Sequence, residues 1–128
     1  MRRLACTIAV LAALGATPAL AATVQPYTQA AFTAAQQQGR PILVHVTAPW
    51  CPTCAKQRPI LSKLESDPRF GDLQVFNVDF DSQKDVLRAM GVRMQSTLIA
   101  FHGKTEEARS TGETSEAAIR ALLDKTES

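Results

Sequence analysis

A pair of cysteines separated by two residues lies at the junction of two sequence patterns. Cys51 and Cys54 follow the apolar run Ile42–Val46, which has the character of a buried strand, and they open a segment with helical spacing. A thiol at a helix N-terminus faces unpaired backbone N–H groups and the positive end of the helix dipole, and both favour the thiolate. The sequence therefore predicts a nucleophilic Cys51, with Cys54 as its disulfide partner.

The first residues of the chain have the three parts of a secretory signal peptide. Met1–Arg3 is basic, Leu4–Leu14 is apolar and uncharged, and Ala19–Ala21 places small residues at a cleavage site. The apolar run is shorter than the roughly 20 residues that a membrane-spanning helix needs. We therefore expect residues 1–21 to be removed on export, which leaves residues 22–128 as one domain.

Removal of the signal peptide would change the length and the net charge of the chain. Removing 21 of the 128 residues leaves 107, enough for one hydrophobic core. Arg2 and Arg3 leave with the leader, so 12 Lys and Arg residues remain against 12 Asp and Glu residues. A chain without net charge or a basic patch is not expected to bind nucleic acid or an anionic membrane surface.

The two remaining cysteines are too close together to act as a structural crosslink. Cys6 lies in the leader, so the exported chain keeps only Cys51 and Cys54, three positions apart. Closing so short a loop removes little entropy from the unfolded chain, so a disulfide here would add little stability. After export, a disulfide between these cysteines could persist, because the periplasm and the cell exterior are oxidising. A chemical role for the pair is therefore favoured.

The rest of the chain alternates between helical and strand patterns. The predicted helices are 27–38, 51–66, 83–90 and 116–125, and the predicted strands are 42–47, 73–79, 97–102 and 106–110. Pro59 falls inside the second helix and is expected to bend it. The polar last strand follows a turn at Gly103 and should form an antiparallel hairpin at a sheet edge. These elements predict an α/β fold with a mixed sheet and helices on both faces.

The residues around the cysteines resemble the active site of the thioredoxin-like superfamily. The shared features are Trp50 directly before the pair, Pro59 eight residues after Cys51, and the strand and helix order over residues 27–125. The resemblance implies a thioredoxin-like fold and an exported bacterial thiol-disulfide oxidoreductase that needs no cofactor. It places Cys51 exposed at the helix start and Cys54 shielded one turn further in.

The resemblance also implies a mechanism and partners. Exchange would pass through a mixed disulfide on Cys51 that Cys54 resolves. The substrates would be protein thiols or disulfides, and the redox partner would be a membrane thiol-disulfide transporter or oxidase, depending on the direction of exchange. The surface that faces the substrate would include Trp50, Pro52, Thr53, Gln95 and Ser96. Pro52 and Thr53, between the cysteines, would tune the reduction potential.

Ser96 departs from the family pattern. It aligns with the cis-proline that faces the cysteine pair in thioredoxins, next to the backbone where family members pair with a substrate strand. A cis bond before a residue other than proline costs about 2.5 to 4 kcal/mol, so we expect a trans bond between Gln95 and Ser96. Restoring proline at position 96 is expected to move the protein toward ordinary thioredoxin behaviour.

His45 is a second departure. It stands six residues before Cys51, where thioredoxins carry a buried acidic residue that helps to take the proton of the second cysteine. One interpretation makes His45 the general base for Cys54, because imidazole exchanges protons near neutral pH. The other is a neutral, hydrogen-bonded core histidine. Burial would keep the ring neutral in both cases, so both interpretations remain open.

A metal-binding protein is the alternative function. Zinc needs four ligands, and the exported chain offers the two cysteines with His45 and His102, which the strand assignment separates. No metal site is therefore expected within one chain, and His102 is predicted to be a surface residue. In the family, the cis-proline keeps metals away from the cysteines. Without it, two chains could share a zinc or iron–sulfur site through four cysteines.

Overall fold

The computed structural model describes Gly15 and residues 21–128. Except for Gly15 and Ala21, the predicted signal peptide lies outside the described residues. The strands are β1 (Thr23–Pro26), β2 (Pro41–Thr47), β3 (Gln74–Asp79), β4 (Thr97–His102) and β5 (Thr105–Thr111). The helices are α1 (Gln29–Gln37), α2 (Pro52–Glu65), α3 (Lys84–Met90) and α4 (Glu116–Asp124), with short 3-10 turns at Pro68–Phe70 and Lys125–Glu127.

The strands form one mixed sheet in the order β1-β3-β2-β4-β5. Strand β3 pairs in parallel with β1 and β2, whereas β4 pairs in an antiparallel manner with β2 and β5. The predicted α/β fold and the edge position of the last strand are confirmed. Strand β2, whose continuous apolar run indicated burial, lies at the centre of the sheet.

Strand β1 was not predicted. Its four residues carry no alternating apolar pattern, and only Gln25 is even partly buried. Backbone pairing with β3 holds it at the edge of the sheet, assisted by a bond from the Ala22 N–H to the Glu65 carbonyl at 3.0 Å. A strand held mainly by its backbone leaves little signal in a hydrophobic pattern.

The first helix begins later than its pattern predicted. Thr28 is the N-cap, and its hydroxyl oxygen accepts the Ala31 N–H at 3.2 Å. Tyr27 therefore lies before the helix, and its ring packs in the core against Phe32 and Phe76. The other predicted helices agree with the structure to within one or two residues, the usual uncertainty of helix ends.

The sheet has a hydrophobic layer on each face. Ile42, Val44 and Val46 of β2 point to the layer that includes residues of α1 and α3, whereas Leu43 points to the layer formed with α2 and α4. Side chains alternate along a strand, so His45 belongs with Leu43 on the face covered by α2. The fold thus directs His45 toward the helix that carries the cysteines.

Helix α2 continues through Pro59, which lies on its exposed side. Its buried row consists of Cys54, Gln57, Leu61 and Leu64, spaced as one helix face. Of the helices in the described residues, none is long and apolar enough to cross a membrane.

Candidate active site

The cysteine pair is built into the start of α2. Cys51 is the N-cap residue in an extended conformation, and Pro52, which has no N–H to satisfy, occupies the first helical position. Cys51 and Cys54 form a disulfide with 5.3 Å between their Cα atoms. The backbone N–H of Cys54 donates to the Cys51 sulfur at 3.1 Å. The Cys51 sulfur thus lies at the positive end of the helix, where a thiolate would be stabilised after reduction.

The expectation of an exposed Cys51 is wrong for this oxidised state. Cys51 is 1% exposed and Cys54 is 0% exposed. The disulfide packs with Ala48 in a small apolar cluster, and the partly buried ring of Phe80 lies against it. An incoming thiolate must therefore displace part of this cover to reach either sulfur.

Trp50 forms an exposed aromatic surface directly before Cys51. Its side chain is 56% exposed, and its indole N–H donates to a carboxylate oxygen of Asp81 at 2.8 Å. The indole also meets the edge of Phe80, with 6.3 Å between ring centroids, and the Lys84 ammonium lies 3.9 Å from the centre of the Phe80 ring. These contacts hold the Trp50 indole, a large and mostly apolar group, exposed to solvent beside the cysteine pair.

Phe80 and Asp81 were missed from the sequence, although a signal was available. Both directly follow β3, which runs parallel to β2, and the register pairs Asp79 with Thr47 at the ends of these strands. Parallel strands end at the same edge of a sheet, so residues just after β3 must lie close to those just after β2. The segment that leads from β2 to Cys51 begins at this edge of the sheet.

The remaining predicted recognition residues differ in exposure. Pro52 is exposed, and Thr53 and Gln95 are half-buried. Met94, which the sequence analysis did not select, is exposed to about half of its surface. An exposed thioether two residues before Ser96 adds a second apolar group to the candidate recognition surface.

Ser96 is buried, and its backbone bonds are made within the protein. The Gln95–Ser96 bond is trans, as expected, and no peptide bond in the described part of the chain is cis. The Ser96 N–H donates to the Val46 carbonyl at 2.8 Å, and the Ser96 carbonyl accepts the Gly112 N–H at 3.0 Å. Its φ angle is +59°, a left-handed conformation that is rare for residues other than glycine.

His45 is a buried, hydrogen-bonded residue. It is 4% exposed, and its Nε2 lies 3.1 Å from the side-chain oxygen of Gln57 on α2. Burial lowers the pKa of His45 below its ordinary value, and the positive charge of Arg58 lowers it further, while hydrogen bonding to Gln57 and Asn77 opposes the shift. The ring is therefore neutral at neutral pH and able to accept a proton.

The lowered pKa of His45 predicts a loss of stability in mild acid. Below about pH 6.5 the unfolded chain binds a proton at this histidine more readily than the folded protein does. The free energy of unfolding should therefore fall as the pH drops below that value, by at most about 1.4 kcal/mol per pH unit from this group. Urea unfolding at several pH values would measure the loss. His45→Gln should flatten this part of the profile, and an unchanged profile would contradict the assignment.

Gln57 was also missed from the sequence. It is 0% exposed and lies three residues after Cys54, in the same row of α2 as Leu61 and Leu64. A polar residue in the apolar row of a helix was the available signal, because a buried amide requires partners.

The structure does not bring the candidate metal ligands together. His45 pairs across the sheet with Leu98, whereas His102 pairs with Pro41 and its Nδ1 lies 2.8 Å from the Thr126 carbonyl oxygen. The described residues contain no group of three or more His, Cys, Asp and Glu side chains that could hold a metal ion.

Comparison with known sequences identifies relatives over most of the chain. The thioredoxin family model matches residues 23–125. Thioredoxin from Pseudomonas aeruginosa is 33% identical over 84 residues, which are 66% of this chain and 77% of that protein. Protein disulfide-isomerase erp38 from Neurospora crassa is 32% identical over 73 residues, which are 56% of this chain and 20% of that protein.

Comparison with solved structures also finds proteins of similar fold. The crystal structure of Trxlp from Edwardsiella tarda EIB202 has a TM-score of 0.77 and 48% identity, and the match covers 79% of this chain and 98% of that one. A thioredoxin from Malassezia sympodialis shares the fold with a TM-score of 0.71 at 18% identity, covering 84% of this chain and 95% of that one. The chain therefore belongs to the thioredoxin family and is a thioredoxin-like thiol-disulfide oxidoreductase with a cysteine pair.

Proposed function

We propose that this chain is an exported, periplasmic oxidoreductase that exchanges disulfides with protein thiols, with Cys51 as the nucleophile and Cys54 as the resolving thiol. The observation that carries the proposal is the position of the pair. Cys51 caps α2 and its sulfur accepts a helix N–H, whereas Cys54 lies within the buried row of the helix. Only Cys51 has the environment that favours a thiolate at the helix start.

The exchange proceeds in two steps that transfer two electrons in total. In the reducing direction, the Cys51 thiolate attacks a substrate disulfide, forms a mixed disulfide and releases one substrate sulfur as a thiolate. The Cys54 thiolate then attacks the Cys51 sulfur, which forms the Cys51–Cys54 disulfide and releases the second substrate sulfur. In the oxidising direction, a substrate dithiol reverses both steps and becomes a disulfide.

His45 accepts the proton of Cys54 in this proposal, directly or through one water. Three observations support the role. The ring is neutral, it lies on the sheet face covered by α2, and its hydrogen-bond partner Gln57 is one turn beyond Cys54. Loss of the proton turns Cys54 into the nucleophile that the resolving step needs.

The recognition surface combines two apolar groups with a short stretch of backbone. Trp50 and Met94 are exposed, and Pro52 and Thr53 lie between the cysteines. Both backbone polar groups of Ser96 are bonded within the protein, and the Gln95 carbonyl accepts the Ser96 hydroxyl at 2.6 Å. The backbone N–H of Gln95 is therefore the neighbouring group able to pair with a substrate strand. This surface fits an extended, partly apolar segment of a protein substrate.

The proposed compartment and partners rest on the N-terminal sequence. The basic, apolar and small-residue regions of residues 1–21 support export through a cleavable signal peptide. In the periplasm, a membrane thiol-disulfide transporter would keep the pair reduced, or a membrane oxidase would keep it oxidised. The reduction potential of the pair distinguishes these two partners.

Fractionation of a Gram-negative host that expresses the full chain tests this proposal. We expect the protein in the periplasmic fraction, with a mass that corresponds to a chain starting at Ala22. A matched chain that lacks residues 2–21 should stay in the cytoplasm. An uncleaved protein that still contains Cys6 and is found in the cytoplasmic fraction would overturn the proposed export. Stoichiometric zinc or iron in protein purified without oxygen would instead favour the metal-binding alternative.

A further inference from the structure

The amide of Gln57 joins three parts of the fold. Its oxygen faces His45 Nε2 on β2 at 3.1 Å. Its nitrogen donates to the carbonyl of Ser96 at 3.1 Å and to the carbonyl of Glu113 at 3.0 Å. The side chain is completely buried. A buried amide with both N–H groups and its oxygen bonded is costly to disturb, because removing one partner leaves another unsatisfied.

These contacts fix the orientation of the amide and the tautomer of His45. The carbonyl oxygens of Ser96 and Glu113 can only accept, so both amide hydrogens of Gln57 are used there. The Gln57 oxygen can only accept, so the hydrogen in the contact with His45 belongs to Nε2 of the ring. In the neutral ring, Nδ1 is then the atom that can accept a proton.

We propose that Gln57 is a positioning residue that holds His45 with its proton on Nε2 and anchors the Ser96 segment to the helix turn that follows Cys54. The proposal rests on the proposed function, in which His45 receives the proton of Cys54. A neutral imidazole can take that proton only on the nitrogen that carries none, which is Nδ1 here. Gln57 holds the proton on Nε2 and also bonds the carbonyl of Ser96, which aligns with the cis-proline of thioredoxins.

Three other groups act on the His45 ring, and Asn77 is the one among them that hydrogen-bonds it. Arg58 on α2 acts on the ring through its charge, and Leu98, the register partner on β4, is apolar. Asn77, the register partner on β3, favours the protonated ring and would stabilise it after proton transfer. Gln57 is the partner that bonds Nε2, and its orientation is locked by two further carbonyls.

The test combines a spectroscopic measurement with a kinetic one. The chain beyond the leader has two histidines, so 15N labelling of histidine gives two sets of ring signals, and His102→Gln assigns them. In the parent protein, the His45 signals should report a proton on Nε2. Gln57→Met, which matches the length of the side chain and removes all three bonds, should give a mixture of tautomers.

Reaction with an aromatic disulfide separates the two chemical steps. The first thiol released reports attack by Cys51 and depends on reagent concentration, whereas the second reports resolution by Cys54 and does not. Gln57→Met should slow the second release by about tenfold to a hundredfold, less than the roughly 10²–10⁴-fold that a positioned general base contributes, because the His45 ring remains in place. The first release should change less than twofold. In a His45→Ala background, Gln57→Met should add less than twofold, because its effect passes through His45.

Gln57→Glu is the second variant if Gln57→Met does not fold. A carboxylate keeps an oxygen against His45 Nε2 and loses the two bonds to the Ser96 and Glu113 carbonyls. Its charge favours the protonated ring, so the pH midpoint of the second release should move upward. Any one of three results would overturn the proposal. The first is a proton that stays on Nε2 of His45 in Gln57→Met. The second is that Gln57→Met slows the second release as much in the His45→Ala background as in the parent, and the third is an unchanged pH midpoint in Gln57→Glu. If His45→Ala alone leaves the second release unchanged, the proton-acceptor role in the proposed function fails, while the ring signals still decide whether Gln57 sets the tautomer.

Discussion

Replacing Cys54 with serine should leave protein substrates attached to Cys51 as mixed disulfides, and replacing Cys51 with serine should trap none. Both variants should lose catalytic turnover, because each removes one of the two sulfurs that must form the final disulfide. Only Cys54→Ser retains the sulfur at the N-cap of α2, where the helix favours a thiolate. Non-reducing electrophoresis followed by mass spectrometry would identify the trapped adducts.

Alkylation of the reduced parent protein supplies the control for these roles. Below the ordinary thiol value of about pH 8.5, Cys51 should react faster with iodoacetamide than a free thiol does, and faster than Cys54. The burial of Cys51 in the oxidised state makes the reduced state the correct one for this comparison. Equal trapping by the two serine variants, or faster alkylation of Cys54, would contradict a mechanism with one nucleophile.

The elements around the active site were predictable because each carries a periodic signal. Strand β2 has an unbroken apolar run, and its central position follows from that run. The cysteine pair lies between this strand and an amphipathic helix, so its place at the start of α2 needed no tertiary information. The trans bond at Gln95–Ser96 was predictable for another reason, since the cost of a cis bond is intrinsic to the residue type.

Three of the features that were not predicted from the sequence depend on contacts between distant segments. Cys51 is covered because Phe80 comes to it from the end of β3. The environment of His45 depends on Gln57, twelve residues away on α2. Strand β1 is formed by backbone pairing that side-chain patterns do not record. Periodicity identifies which face of an element is buried, but it does not show which polar groups meet there.

The backbone conformation of Ser96 leads us to expect the opposite of a return to ordinary thioredoxin behaviour when proline is placed at this position. Proline fixes φ near −65°, whereas Ser96 has a φ of +59°. Proline also has no N–H, so it would remove the bond to the Val46 carbonyl, which is 2.8 Å long and lies at the end of a buried strand. Leaving that carbonyl unpaired costs about 1 to 3 kcal/mol, before any cost of changing the backbone.

Ser96→Pro should therefore destabilise the protein by about 3 kcal/mol or more and lower Tm by at least about 10 °C. Turnover should fall as well, because the Ser96 carbonyl that Gln57 and Gly112 bind would shift. Ser96→Gly is the matched control, since glycine adopts a positive φ without a steric cost and retains the N–H. It should be as stable as the parent or more stable by up to about 1 kcal/mol. Thermal unfolding of the three proteins, with a disulfide-reduction assay, would measure both effects. A proline variant as stable and active as the parent would mean that the segment takes up another conformation at no cost, and that the left-handed Ser96 is not required by the site.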